Sequence, residues 1–140
     1  ADFSQAAKWY AQVAATELGN TTANRLLAIN SLEQGDAKEA LTYMMGTTPP
    51  STTQDRADWE YWLGRVYLEL QQDAEASEHL QEAVRLMPET MLYRITLAQL
   101  LWDNNRKLEA IQELELVLQR SPGNEQAKSL LQQYRVSAHE

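Results

Sequence analysis

The chain has 140 residues, of which 44% are hydrophobic and 23% charged, and its formal net charge is −8. This size and composition are typical of one globular domain with a continuous core. The acidic balance and the scattered positions of the twelve basic residues argue against a nucleic-acid-binding surface, which needs clustered Lys and Arg. The absence of cysteine excludes disulfides, thiolate catalysis and Cys-ligated zinc.

No apolar run approaches the ~18 residues that a membrane-spanning helix needs, so direct membrane insertion is not expected. No signal-peptide pattern is visible. The sequence starts at Ala1 without a Met, which indicates a processed or excised piece.

The first predicted helix covers residues 3–18. Its apolar residues recur at the spacing of one helical face: Ala6, Trp9, Tyr10, Val13 and Ala14. Gly19-Asn20 is predicted to end this helix, because both residues tolerate a positive φ.

A pair of helices follows, at residues 21–33 and 37–46, with its turn at Gly35-Asp36 and its end at Gly46. The residues of the second helix that are predicted to point inward are Ala37, Ala40, Leu41, Met44 and Met45. Residues 47–54, TTPPSTTQ, contain two prolines and are predicted to form an extended loop.

The clearest helix pair lies between Trp59 and Pro88. Its first apolar stripe consists of Trp59, Trp62, Leu63, Val66, Tyr67 and Leu70, and its second of Ala76, Leu80, Ala83, Val84 and Met87. Gln71-Gln72-Asp73 separates the stripes, and so short a turn predicts antiparallel packing. Gly64 costs ~1 kcal/mol inside a helix, so we expect it where the second helix comes close, opposite Ala76.

A third pair starts near Thr90, turns at Asn104-Asn105 and ends at Pro122-Gly123-Asn124. The last predicted helix, residues 125–136, has one polar side and one apolar side, which is what a terminal cap requires. Its apolar side consists of Ala127, Leu130, Leu131 and Tyr134.

The helix pairs repeat with a period of about 34 residues. A shift of 34 maps Leu63, Ala76, Leu80, Ala83 and Pro88 onto residues of the same type, Leu97, Ala110, Leu114, Val117 and Pro122. Ala6 and Ala40 extend the series towards the N-terminus.

This pattern resembles the tetratricopeptide repeat, whose signature is W-x2-L-G-x2-Y followed by Ala, a large apolar residue, Ala and Pro. Residues 57–90 supply Leu63, Gly64, Tyr67, Ala76, Leu80, Ala83 and Pro88, with Glu60 at the tryptophan position. Residues 91–124 match less fully, with Arg94 at that position, and residues 21–56 match through Leu27, Ala28, Gly35-Asp36, Ala40 and Met44.

The resemblance implies an all-α solenoid of antiparallel helix pairs that forms a single domain over residues 1–140. Its parts are three repeats (21–56, 57–90 and 91–124), a capping helix at 125–136, and residues 3–18 as the second helix of a truncated repeat. The first helix of each repeat would line a concave groove. The residues expected in that groove are Arg25, Ile29, Leu32, Tyr61, Arg65, Leu68, Leu92, Ile95, Gln99 and Trp102, with Glu33, Glu69 and Asp103 at its rim.

The implied function is a non-catalytic interaction module that binds a protein or peptide segment, because exposed apolar patches mark binding sites. Trp102 is the leading hot-spot candidate. The alternative for these groove residues is that tight winding buries some of them as core. A grip on a C-terminal carboxylate, which some members of the family use, is not expected: of the five positions concerned, occupied by Arg25, Ile29, Trp62, Leu92 and Thr96, one is basic.

A second hypothesis is structural. The helix 3–18 would offer Trp9, Tyr10 and Val13 to a second copy or to further repeats, and this chain would then be a segment of a longer array. By analogy, related domains serve bacterial envelope assembly and export machines, which favours a periplasmic or envelope-associated fragment over a cytoplasmic one.

No enzyme chemistry is predicted, and no cofactor or metal. There is no Gly-rich phosphate loop, HExxH motif or nucleophile–base pair. His79 is predicted to be a solvated or half-buried structural residue, and the carboxylates of the second helices to form a solvated face.

Overall fold

The computed structural model describes residues 3–16 and 21–139, apart from the side chains of residues 3, 13–16 and 21. This part of the chain contains eight helices and no strand, which confirms the predicted all-α solenoid: α1 Phe3–Thr16, α2 Thr21–Glu33, α3 Ala37–Met45, α4 Thr53–Glu69, α5 Asp73–Leu86, α6 Met91–Asp103, α7 Lys107–Arg120 and α8 Glu125–Ala138. The predicted helix end at Leu18, the stop at Gly19-Asn20 and the side chain of Val13 lie outside the described residues.

Each helix packs chiefly on its neighbours along the chain, and α2 also contacts α4. The pairs α2–α3, α4–α5 and α6–α7 are thus stacked side by side, with α1 before them and α8 after them. None of the helices described is long and apolar enough to cross a membrane.

The turns inside the three pairs share one backbone conformation. Gly35, Gln71 and Asn105 have φ values of 83°, 58° and 60°, in the left-handed region. In each turn the next N–H reaches back to the final turn of the first helix, and Gln72 N donates to Tyr67 O at 2.9 Å. This is the Schellman arrangement, which satisfies carbonyls that the end of a helix leaves without partners.

Gly64 lies where α4 and α5 approach most closely, as the sequence predicted. A Cβ atom added there would lie 2.9 Å from Leu80 Cγ and 3.4 Å from the carbonyl oxygen of Ala76. Because Leu80 and Ala76 have no exposed surface, only glycine allows this separation of the two helices.

The core of the described helices consists of two clusters of buried side chains. The smaller cluster joins α2, α3 and one face of α4 around Ala28, Met44 and Leu63. The larger one runs from α4 to α8. Trp62 and Tyr67 pack against both clusters, so α4 is the helix that holds the two halves of the core together.

Three details differ from the prediction. Helix α4 begins at Thr53, inside the stretch 47–54 that was predicted to be an extended loop, because the Thr52 side chain accepts a hydrogen bond from Asp55 N and caps the helix. Met45 is 62% exposed and does not point inward, since the buried face of α3 is centred on Met44, about 100° around the helix. Helix α8 continues to Ala138.

Candidate functional site

The first helices of the pairs, α2, α4 and α6, border two adjoining clefts. The larger, here called the α4–α6 cleft, has a volume of about 530 Å³. Its apolar lining comes from Tyr61, Leu68, Leu92 and Leu100. Of these, Leu92 is 47% exposed. The polar residues that line it are Arg65, Asp73, Thr96, Gln99, Asp103 and Gln126.

The smaller cleft, here called the α2–α4 cleft, has a volume of about 250 Å³ and lies between the helices of its name. It is lined by Ile29, Leu32, Glu33, Trp62, Arg65 and Glu69. Arg65 lines both clefts, so the two adjoin at this side chain. Together they are called the groove below.

Arg65 is fixed by contacts within α4. Its Nη1 donates to the Tyr61 hydroxyl at 3.2 Å, and its guanidinium lies 5.7 Å from the centroid of the Trp62 ring. Among the described residues, no carboxylate forms an ion pair with it. A guanidinium carries five N–H donors, so Arg65 can still donate to carbonyl oxygens of a bound segment.

Arg25 lies in a third cleft, at the N-terminal ends of α4 and α6. It forms an ion pair with Asp58 at 2.7 Å and retains 18% exposure, so it ties α2 to α4. Burial, together with the negative charge of Asp58, raises the pKa of Tyr93 in the same cleft. Arg25 is therefore not brought into the groove that Arg65 occupies.

Two predicted groove residues are nearly buried, which is the alternative that the sequence left open for this surface. Ile95 is 2% exposed and does not line either cleft. Tyr61 lines the α4–α6 cleft but is 4% exposed, with its ring stacked on Tyr93 at 4.9 Å. Ile95 is buried because α6 packs on both α5 and α7, so more than one stripe of its surface is covered.

Trp102, the leading hot-spot candidate, is not among the residues that line the groove. Its ring stacks on Tyr134 of α8, with centroids 3.9 Å apart and planes 4° from parallel. Lys107 Nζ lies 5.3 Å from the Trp102 centroid. Helix α8 thus covers one face of the Trp102 ring, and the residue remains partly exposed.

A polar contact between paired helices was missed by sequence reasoning. Glu60, which stands at the family's tryptophan position, is 3% exposed, and its carboxylate lies 2.6 Å from His79 Nδ1 and 2.8 Å from Arg56 Nε. Burial alone would raise the pKa of Glu60, but the hydrogen bonds from His79 and Arg56 outweigh it and lower that pKa.

The next repeat carries an ion pair at the equivalent positions. Arg94 Nη1 lies 2.7 Å from Glu113 Oε2, and both residues follow Glu60 and His79 by 34 residues. His79 is half-buried against the Tyr67 ring, which is 5.3 Å away and parallel. These contacts join α4 to α5 and α6 to α7, so His79 is a structural residue, as predicted.

Comparison with known proteins identifies the repeats directly. The family model of the tetratricopeptide repeat matches residues 57–90, and a second model of the same description matches residues 93–124. No protein of curated function matches the sequence significantly.

Three solved structures illustrate the similarity of fold. MamA superposes with a TM-score of 0.85 at 20% identity, over 99% of this chain and 80% of its own. YrrB, described as a TPR protein with an unusual peptide-binding site, gives 0.77 at 20% identity, over 99% of this chain and 70% of its own. The first TPR of Spaghetti (RPAP3), bound to the HSP90 peptide SRMEEVD, gives 0.75 at 16% identity, over 88% and 98%.

The helix pairs, their shared turn geometry and the two matched repeats all agree with the resemblance drawn from the sequence. The chain therefore contains tetratricopeptide repeats at residues 57–90 and 93–124.

Proposed function

We propose that this chain is a non-catalytic interaction module that holds a peptide or helix of a partner protein in the groove. The observation that carries the proposal is the partly apolar α4–α6 cleft, in which Leu92 is 47% exposed. A leucine side chain that is exposed to water inside a cleft can be buried by an apolar group of a ligand, and exposed apolar patches of this kind mark binding sites.

The chemistry of the groove suits a protein segment. Leu68 and Leu92 can accept apolar side chains, while Arg65, Gln99 and Gln126 can form hydrogen bonds to a backbone. Peptide binding by YrrB and by the first TPR of Spaghetti gives precedents for such an occupant on this fold. The scarcity of basic residues in the groove argues against an acidic C-terminal tail as that occupant.

The proposal can be tested with peptides selected from a randomised display library against the intact chain. Leu92→Ala is expected to weaken their binding about fivefold or more, the loss of a hot-spot contact worth roughly 1 kcal/mol. The matched control is Leu116→Ala, which removes a leucine of 37% exposure from α7, outside the groove. If Leu92→Ala leaves the dissociation constants unchanged, the groove is not the binding site.

A second candidate function is self-association through α1, and one observation favours it. Trp9 is 61% exposed and makes an edge-to-face contact with Tyr10, at 5.3 Å between centroids. Light scattering over a range of concentrations should then show a dimer that Trp9→Ala dissociates. A strictly monomeric wild-type chain would exclude this function.

A further inference from the structure

The first helix of every pair ends in a carboxylate. Glu33, Glu69 and Asp103 are the last residues of α2, α4 and α6, and all three are exposed. Their spacing follows the repeat. Within the part of the chain that the structure describes, none of the nine ion pairs includes any of them.

A carboxylate is unfavourable at this end of a helix. The peptide dipoles leave partial negative charge at the C-terminus, so a like charge there costs about 0.3–1 kcal/mol. No basic residue offsets it in the last turn of α2, α4 or α6. The last turns of α5, α7 and α8 carry Arg85, Arg120 and Arg135, so these three helices have the favourable charge that the ends of α2, α4 and α6 lack.

These carboxylates border the groove. Glu33 and Glu69 line the α2–α4 cleft, and Asp103 lines the α4–α6 cleft together with Asp73. Of the residues that the structure describes, Arg65 is the one basic residue lining either cleft, so four carboxylates and one guanidinium give the lining a charge of −4 + 1 = −3. Leu68 and Leu92 supply an apolar surface between these charges.

The carboxylates do not form a metal site. Among the described residues, no group of three or more acidic or histidine side chains is arranged to hold a metal ion. The negative charge is instead distributed along the groove at the intervals of the repeat. Charge distributed in this way is complementary to several cationic groups carried by one extended or helical partner.

We infer that the occupant of the groove is a cationic amphipathic segment of a partner protein, with apolar side chains over Leu68 and Leu92 and Lys or Arg side chains facing Glu33, Glu69, Asp73 and Asp103. This inference rests on the proposed function and specifies its partner. The charge pairs lie at an exposed rim, so they contribute more to partner choice and association rate than to affinity at high salt.

The test uses three synthetic peptides of about 14 residues, four turns if helical, with the same apolar positions filled by Leu. The remaining positions are Lys in the first peptide, Gln in the second and Glu in the third. Fluorescence anisotropy at about 50 mM and about 300 mM NaCl should give the Lys peptide at least about a tenfold advantage over the Glu peptide, shrinking with salt. Equal affinities, tighter binding of the Glu peptide, or no binding of the Lys peptide would overturn the inference.

A matched pair of double variants separates the groove from the overall charge of the chain. Glu69→Gln/Asp103→Asn and Glu75→Gln/Glu78→Gln both change the net charge from −8 to −6, and Glu75 and Glu78 are exposed residues of α5 outside the groove. The first variant should bind the Lys peptide about fivefold or more weakly, and the second within about twofold of wild type. An equal loss in both would mean that general attraction explains the binding, and would overturn the inference.

The melting temperature of the double variant and the effect of Leu92→Ala on peptide binding distinguish a failure of the cationic partner from a failure of the proposed function. The Glu69→Gln/Asp103→Asn variant should melt at the same temperature as wild type or higher, because it removes two unfavourable charges from helix C-termini. If Leu92→Ala weakens every peptide equally and charge has no effect, the groove stands and the cationic partner is refuted. If Leu92→Ala affects none of them, the proposed function itself is refuted.

Discussion

Substituting Gly64 by alanine tests the packing on which the groove depends. Replacing a glycine inside an exposed helix normally stabilises it by ~1 kcal/mol. Here the new Cβ would lie 2.9 Å from Leu80 Cγ, about 0.6–1 Å inside the optimal separation of two carbon atoms. Leu80 is fully buried, so it cannot turn away without forcing α4 and α5 apart.

The cost of such overpacking is about 1–3 kcal/mol. Set against the ~1 kcal/mol gain in helix propensity, it gives Gly64→Ala an expected net loss of about 0–2 kcal/mol of unfolding free energy, or up to roughly 8 °C in Tm for a domain of this size. Urea unfolding followed by circular dichroism measures the first quantity, and a thermal melt measures the second.

Two controls make the result specific. Gly123→Ala places a Cβ with nothing within 4 Å and no positive φ, so it should change the stability by less than about 0.5 kcal/mol. In a Leu80→Ala background the obstructing side chain is gone, and Gly64→Ala should become stabilising. If Gly64→Ala stabilises the wild-type chain as much as it stabilises the Leu80→Ala variant, the close approach of α4 and α5 is refuted.

Three further predictions concern the turns, the buried carboxylate and the capping helix. Glu60→Gln should lower stability by roughly 1–3 kcal/mol near neutral pH, through the loss of charged hydrogen bonds. The folded state lowers the pKa of Glu60, so its contribution is complete above the unfolded pKa of about 4.3 and is lost as the pH falls through the folded pKa. Unfolding curves of wild type and variant should therefore converge on acidification, and a gap that persists at low pH would contradict the assignment. Gln71→Gly should raise the free energy of unfolding by about 0.5–1 kcal/mol, because glycine relieves the strain of the left-handed backbone. Gly35→Ala should lower it, although the new Cβ would contact nothing, because φ is positive there. Changes in calorimetric Tm of the opposite sign would contradict the turn geometry. Trp102→Ala should destabilise the packing of α8 through the lost stack on Tyr134, measured as faster amide hydrogen exchange in α8. Its effect on peptide affinity should be smaller than that of Leu92→Ala. A larger effect on peptide affinity than that of Leu92→Ala would identify Trp102 as a binding residue.

The sequence was sufficient for the helices and their register, because each helix carries a periodic apolar stripe and each turn a recognisable residue. It was sufficient for Gly64 as well, since a glycine inside a helix is unfavourable unless a neighbouring helix leaves no room for a side chain. The boundary at Thr53 was missed because two nearby prolines indicate a loop in the local sequence. The start of the helix depends instead on a hydrogen bond of the Thr52 side chain.

Burial in the groove was predicted less well, for a geometric reason. One stripe per helix describes a helix packed on one side, yet α6 contacts both α5 and α7. Ile95 is consequently buried. Tyr61 of α4 keeps little exposed surface because its ring stacks on Tyr93 of α6. The stack of Trp102 on Tyr134 was not predicted, because the two residues are 32 positions apart and lie in different helices.

The contacts of Glu60 and Arg94 could have been found from the sequence. Both residues stand at the family's tryptophan position, and His79 and Glu113 each follow by 19 residues, the separation that places a residue of the second helix opposite one of the first. In the first pair the carboxylate, Glu60, is on the first helix, whereas in the second pair the carboxylate, Glu113, is on the second helix. A search for acidic and basic residues in one fixed order therefore does not find both. A search that compares the charges of residues 19 positions apart in each repeat, rather than their identities, would find both.

NMR chemical-shift mapping with a peptide selected against the intact chain would show whether a partner binds in the groove between the first helices. We expect the backbone amide signals of Arg65, Thr96 and Gln99 to shift on titration, while those of Leu108 and Leu116 on α7 stay in place. Shifts concentrated on α5 and α7, with the amides of the groove unchanged, would contradict it.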